Sequence, residues 1–209
     1  MDTFEAIEFQ AIEYERTELA DLYDELTTAQ WDAPTLCAGW RVREVVAHTT
    51  QPFRASTART VAELVRSGFS FNRMADRTAR RDAARMSPDE LAAAVRDNAR
   101  HPWTPPGGGP AGALSHEVIH GLDITEGLGL DRRVPLDRLA IVLGGMNPRS
   151  VAFFGVDLAG VRLEATDLDW HHGTGSPVRG AAQDLLLAVC GRRLPPGRLT
   201  GAEAGRFTR

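Results

Sequence analysis

The sequence predicts a mainly α-helical protein that ends in a small α+β unit. Two observations carry this expectation. Apolar residues recur at helical spacing through most of the chain up to about residue 147, and only one later segment, Val161–Thr166, alternates apolar with polar residues.

Thr3 to Thr28 sets Phe4, Ile7, Ala11, Ile12, Leu19, Leu22 and Leu26 at helical spacing with acids between them, which predicts a first amphipathic helix. The segment TAQWDAPTLCAGW that follows is punctuated by Pro34 and Gly39 and reads as a loop. Trp31, Leu36, Cys37 and Trp40 make it too apolar to stand fully in solvent, so it should pack onto helices. A second helix begins near Val42 and carries Val45, Val46, His48 and Thr49; Pro52 should kink or interrupt it. Helical spacing resumes at Val61, Leu64 and Val65 and stops at Gly68, and Asn72 to Arg85 reads as a polar helix. Ser87-Pro88-Asp89-Glu90 is a helix start, with Ser at the cap, Pro in the first position and Glu three residues on, and that helix should run to about Ala99.

His101 to Gly112, HPWTPPGGGPAG, excludes helix and strand and predicts a loop of the kind that forms lids or pocket walls. Helices are expected again over Ala113–Leu128 and Leu136–Leu143. The character changes after Pro148. Val161–Thr166 is a strand, Trp170–Thr174 its partner across a turn at Asp167–Asp169, and Gly180–Cys190 an amphipathic helix stopped by Gly191. The expected division is a helical unit over residues 1–147 and an α+β extension over 148–209.

Composition narrows the function. The net charge of −4 argues against a nucleic-acid partner, which would need a basic surface to displace counterions; that all 24 basic residues are arginine says nothing direct about mechanism. Two cysteines in 209 residues make no disulfide scaffold. The acidic, amphipathic N-terminus lacks the pattern of a signal peptide, and no apolar run approaches a membrane span, so a cytoplasmic protein with no membrane partner is expected.

The chemistry-bearing residues are histidines. His116 and His120 stand four apart on an expected helix, about 40° apart around its axis and one turn along it, so both rings can reach one ion. Asp123 falls on the same stripe, where it could ligate or orient a histidine through its second ring nitrogen. Glu117 points away and is a poorer ligand. On spacing alone, a solvated helix face is the simpler reading of the pair. A metal site needs a third ligand, and a catalytic one an open position. His48 is the natural candidate, although a lone histidine beside Val45 and Val46 is ordinarily a hydrogen-bonded core residue.

The residues PTLCAGWRVREVVAH, Pro34 to His48, and HEVIHGLDI, His116 to Ile124, resemble the two signatures of the DinB-like, mycothiol-dependent maleylpyruvate isomerase family. The tail GVRLEATDLDWHHGTGSPVRGAAQDLLLAVCGR resembles that family's C-terminal α+β extension. The resemblance implies a DinB-like four-helix bundle in which His48, His116 and His120 hold a divalent metal. Zinc suits three imidazoles, and nickel, iron and cobalt accept them too. It further implies mycothiol as cosubstrate and a small electrophilic molecule as substrate. In many relatives the position of His116 is an acid; a histidine leaves the site more positive and better suited to a thiolate or hydroxide.

The expected activity is therefore a thiol transferase or isomerase that activates an exogenous low-molecular-weight thiol. A metal-dependent hydrolase using Asp123 or Glu117 as base is an alternative, as is a non-catalytic metal- or ligand-binding protein, including one that forms a homodimer through its helices. Arg179, expected at the start of the last helix, is a candidate for binding an anionic substrate, and the family's use of a C-terminal arginine supports it. Arg54 and Arg59 could also face the pocket. Cys37, among apolar neighbours, reads as a small buried hydrophobe, His101 as a surface residue, and His171 and His172 as hairpin residues on opposite faces.

Overall fold

The computed structural model describes residues 3–209. The chain divides into two compact units, one ending at Asp131 and one beginning at Arg132. The expectation set the division at residue 147. The difference lies in the helix Leu136–Gly144, which packs against the last helix, Ala182–Val189, and so groups with the second unit.

The first unit is helical: α1 (Thr3–Asp24), α2 (Thr28–Trp31), α3 (Val42–Arg54), α4 (Thr57–Arg66), α5 (Phe71–Ala83), α6 (Pro88–Arg96) and α7 (Gly109–Leu128). Helices α1 and α3 each pack on both α6 and α7, which makes a four-helix bundle; α5 lies against α3, and α4 against α5. The apolar stripes foreseen from spacing meet here. Leu19, Ala20 and Tyr23 of α1, Val42, Val45, Val46 and Ala47 of α3, Leu91, Ala92 and Val95 of α6, and Ile124 of α7 form one buried cluster with Trp31.

Local chemistry sets the boundaries. Ser87 accepts from the Glu90 backbone N–H, the Glu90 carboxylate accepts from the Ser87 N–H, and Pro88 opens α6, as its sequence indicated. Pro52 does not interrupt α3: it falls in the last turn, and the helix ends two residues later at Arg54. The stretch 101–112 is loop only to Gly108. Helix α7 starts at Gly109 with proline in its first turn, where a missing N–H costs nothing. It ends at Gly129, whose φ of 69° gives the left-handed cap.

The second unit contains α8 (Leu136–Gly144), α9 (Pro148–Phe154), β1 (Val161–Ala165), β2 (His171–Gly173), β3 (Ser176–Gly180) and α10 (Ala182–Val189). The strands run β2-β1-β3. The foreseen hairpin is present, with Leu163 opposite His172 in an antiparallel pair. Helix α9 and strand β3 were not anticipated; β3 pairs parallel to β1, Leu163 beside Val178. Val161, Leu163 and Val178 are buried, as is nearly all of α10. Among the described residues no helix is long and apolar enough to cross a membrane.

Candidate metal centre

Helix α3 contributes His48 and helix α7 contributes His116 and His120. Their ring centroids form a near-equilateral triangle: 5.0 Å between His48 and His116, 5.1 Å between His48 and His120, and 4.9 Å between His116 and His120. One nitrogen from each ring lies within 4.8 Å of the others. The structure thus brings together residues 68 apart in sequence, with His116 Nε2 at 3.1 Å from His48 Nε2.

That separation bears on whether the residues suit a metal. Two imidazole nitrogens on one tetrahedral zinc, each bonded at about 2.0–2.1 Å, would stand roughly 3.3 to 3.4 Å apart. The electrostatics agree. Burial, reinforced by the neighbouring His120, pushes His48 down to about 3. Burial and the two other rings push His116 well below the ordinary imidazole range. Both are therefore neutral at physiological pH and carry a lone pair, the form that binds metals. His116 Nδ1 is buried without a hydrogen-bond partner among the described residues, while its Nε2 faces His48. All three residues are partly buried, and the His120 side chain keeps 15% of its surface exposed.

Aromatic walls flank the triangle. Trp40 lies 5.1 Å from His48, its indole N–H donating to Asp76 Oδ1 of α5 at 2.8 Å. Trp103 lies 5.5 Å from His116. Its position comes from His101, which is no mere surface residue: His101 Nδ1 accepts the Trp103 backbone N–H at 3.1 Å, and its ring packs 5.1 Å from Phe53.

Around the rings lie groups whose roles were only partly foreseen. Asp123, with no exposed surface, sets Oδ2 at 3.2 Å from His120 Nδ1. Glu117 faces away, as expected from its position on α7; it accepts from Arg16 Nε at 2.9 Å in a wholly buried ion pair. Burial pushes the Glu117 carboxyl up, partly offset by Arg16. Arg16 also donates to the carbonyl of His101 at 2.8 Å and stacks over Phe53 at 4.5 Å. Arg54 donates to Asp82 Oδ2 and to the Ala47 carbonyl, and Arg59 is exposed.

Two further expectations require correction. Arg179 does not start a helix. It belongs to β3 in the second unit, where its Nε donates to Glu164 Oε2 at 2.8 Å. Cys37 is not an inert apolar residue: half-buried, it donates its thiol to Asp123 Oδ2 at 2.9 Å and lies 3.6 Å from His120 Nδ1. Its partners stand more than 80 residues away in sequence. The one local signal was the apolar character of a loop that had to pack on something.

Residues 12–102 match the family model of the mycothiol maleylpyruvate isomerase N-terminal domain. The match includes His48 and Cys37 and ends before α7. Among solved structures the chain resembles a mycothiol-dependent maleylpyruvate isomerase at a TM-score of 0.58 and 12% identity, covering 98% of this chain and 97% of that one. A histidine-to-alanine mutant of such an isomerase matches with a TM-score of 0.52 at the same identity and coverage. At this identity the two structures establish a shared fold. No curated protein matches the chain.

Proposed function

We propose that this chain, whose residues 12–102 carry the mycothiol maleylpyruvate isomerase N-terminal domain, is a metal-dependent transferase or isomerase that uses an exogenous low-molecular-weight thiol of the mycothiol type. The observation that carries the proposal is the convergence of His48, His116 and His120, with one ring nitrogen from each within 4.8 Å of the others. A divalent metal held there, zinc by preference, would supply positive charge that stabilises the thiolate form of an incoming thiol at neutral pH.

The chain's own residues prepare that chemistry. His48 and His116 are held neutral by burial, so no proton has to leave them before they ligate. Asp123 Oδ2 stands 3.2 Å from His120 Nδ1, where an ionised carboxylate would accept from an Nδ1–H and leave Nε2 for ligation. Three neutral ligands leave the site's positive charge unreduced, which favours an anionic sulfur over a neutral ligand. Trp40 and Trp103 wall the approach with apolar surface, where an electrophile can be held against the thiol. Addition of the sulfur to a conjugated double bond, rotation and expulsion of the same thiol would give isomerisation; retention of the sulfur would give transfer.

The hydrolase alternative is the weaker reading for a specific reason. Its two candidate bases are both engaged: Glu117 is buried against Arg16, and Asp123 is buried against His120.

Calorimetric titration of the zinc-loaded protein with mycothiol, followed by thiol-consumption assays against a panel of electrophiles and an isomerisation assay with maleylpyruvate, tests the proposal. Saturable heat and turnover with at least one electrophile are expected. An absence of heat with metal-loaded protein, or ester hydrolysis that proceeds without thiol, would refute it.

A further inference from the structure

We infer that Cys37 is a positioning residue for the metal centre: its thiol holds the Asp123 carboxylate that in turn sets the tautomer and direction of His120. The inference rests on the metal reading above and extends it one layer outward.

Geometry supports it first. One oxygen, Asp123 Oδ2, meets both Cys37 Sγ at 2.9 Å and His120 Nδ1 at 3.2 Å. An ionised carboxylate only accepts. The thiol has one hydrogen, which it gives to Asp123. With Asp123 ionised, the hydrogen on His120 Nδ1 points at the same oxygen and the lone pair resides on Nε2.

The loop that carries Cys37 is built to hold it there. The Leu36 backbone N–H donates to the Asp123 carbonyl at 3.0 Å, which ties the loop to α7 at the same residue its neighbour contacts by side chain. The Cys37 N–H donates to Thr35 Oγ1 at 3.1 Å, and that hydroxyl donates to the Trp40 carbonyl at 3.0 Å. The Trp40 N–H closes the turn on the Cys37 carbonyl at 3.0 Å. On the helix side, Gly127 allows the loop to lie close: a Cβ there would stand 2.7 Å from Thr35 Cα and 3.0 Å from the Pro34 carbonyl oxygen. A cysteine kept only for its volume would not require its sulfur on a buried carboxylate that already serves a histidine.

The test uses Cys37→Ala, which removes the donor, and Cys37→Ser, which keeps a hydroxyl donor. Nitrogen-15 NMR of the metal-free proteins reads the His120 tautomer, and cobalt titration reads affinity and the visible ligand-field spectrum. Wild type and Cys37→Ser should show His120 protonated at Nδ1 and bind cobalt alike. Cys37→Ala should show mixed tautomers and a cobalt dissociation constant raised roughly tenfold, the scale of lost support behind a ligating histidine. Circular dichroism checks that the fold is retained. An unchanged tautomer in Cys37→Ala overturns the inference. So does a sulfur-to-cobalt charge-transfer band in wild type that Cys37→Ser abolishes, because Cys37 would then be a ligand. If wild type takes up no cobalt, the metal reading fails by itself, and the tautomer comparison still decides the role of Cys37.

Discussion

Replacing Arg16 by methionine removes the buried cation that ties α1 to α7. Arg16 has no exposed surface and gives Nε to Glu117 at 2.9 Å and Nη1 to the His101 carbonyl at 2.8 Å. Methionine fills much of the volume but leaves the Glu117 carboxylate buried without its cation, one residue from His116. Breaking a buried pair in this way costs about 3–5 kcal/mol. In a chain of this size that lowers Tm by roughly 6–20 °C. The sign of the pH effect follows from Glu117. Burial already holds its carboxyl above the usual range, and loss of Arg16 raises it further. An acid whose folded pKa exceeds its unfolded one binds more protons when folded, so acidification favours the folded state and the deficit of Arg16→Met shrinks as pH falls. Urea unfolding of wild type, Arg16→Met, Glu117→Gln and the double variant at pH 7.5 and 5.5 measures this as a cycle. The double variant should recover most of the loss, because neither charge is then stranded. Stability of Arg16→Met within about 1 kcal/mol of wild type, or a double variant as unstable as the sum of the singles, would refute the reasoning.

Two further outcomes are expected. In metal-free protein, His48 is held near 3 when folded and titrates at about 6.5 when unfolded, so it takes up a proton on unfolding and stability falls as pH drops below about 6.5. His48→Phe should therefore show a shallower fall of Tm between pH 7 and 5 than wild type; equal slopes would contradict it. Gly127→Ala places a methyl 2.7 Å from Thr35 Cα and must push the 34–40 loop away, at a cost of about 1–3 kcal/mol with a shift in tryptophan fluorescence as Trp40 moves; unchanged unfolding and emission would count against the close approach.

The helices and the histidine pair were legible because both are local. A stripe at i, i+3 and i+4 and two histidines one turn apart on α7 are written in neighbouring residues. The start of α7 at Gly109 was hidden by the glycines and prolines around it, which break helices in their interiors yet suit a first turn. Strand β3 contains Pro177 and two glycine-flanked ends, a poor strand by composition, and exists through its parallel pairing with β1. The surroundings of the histidines were the least readable. Arg16 finds Glu117 across 101 residues and Cys37 finds Asp123 across 86, contacts that only the packing of α1 and the 34–40 loop onto α7 creates.

Metal stoichiometry is the most direct measurement of the central claim. The protein is loaded with zinc, passed over a desalting column, and its metal content determined beside His48→Ala and His120→Ala. The account predicts one zinc per chain in wild type and loss in both variants, with each variant still folded by circular dichroism. Zinc absent from loaded wild type, or retained at full stoichiometry without His48, would contradict it.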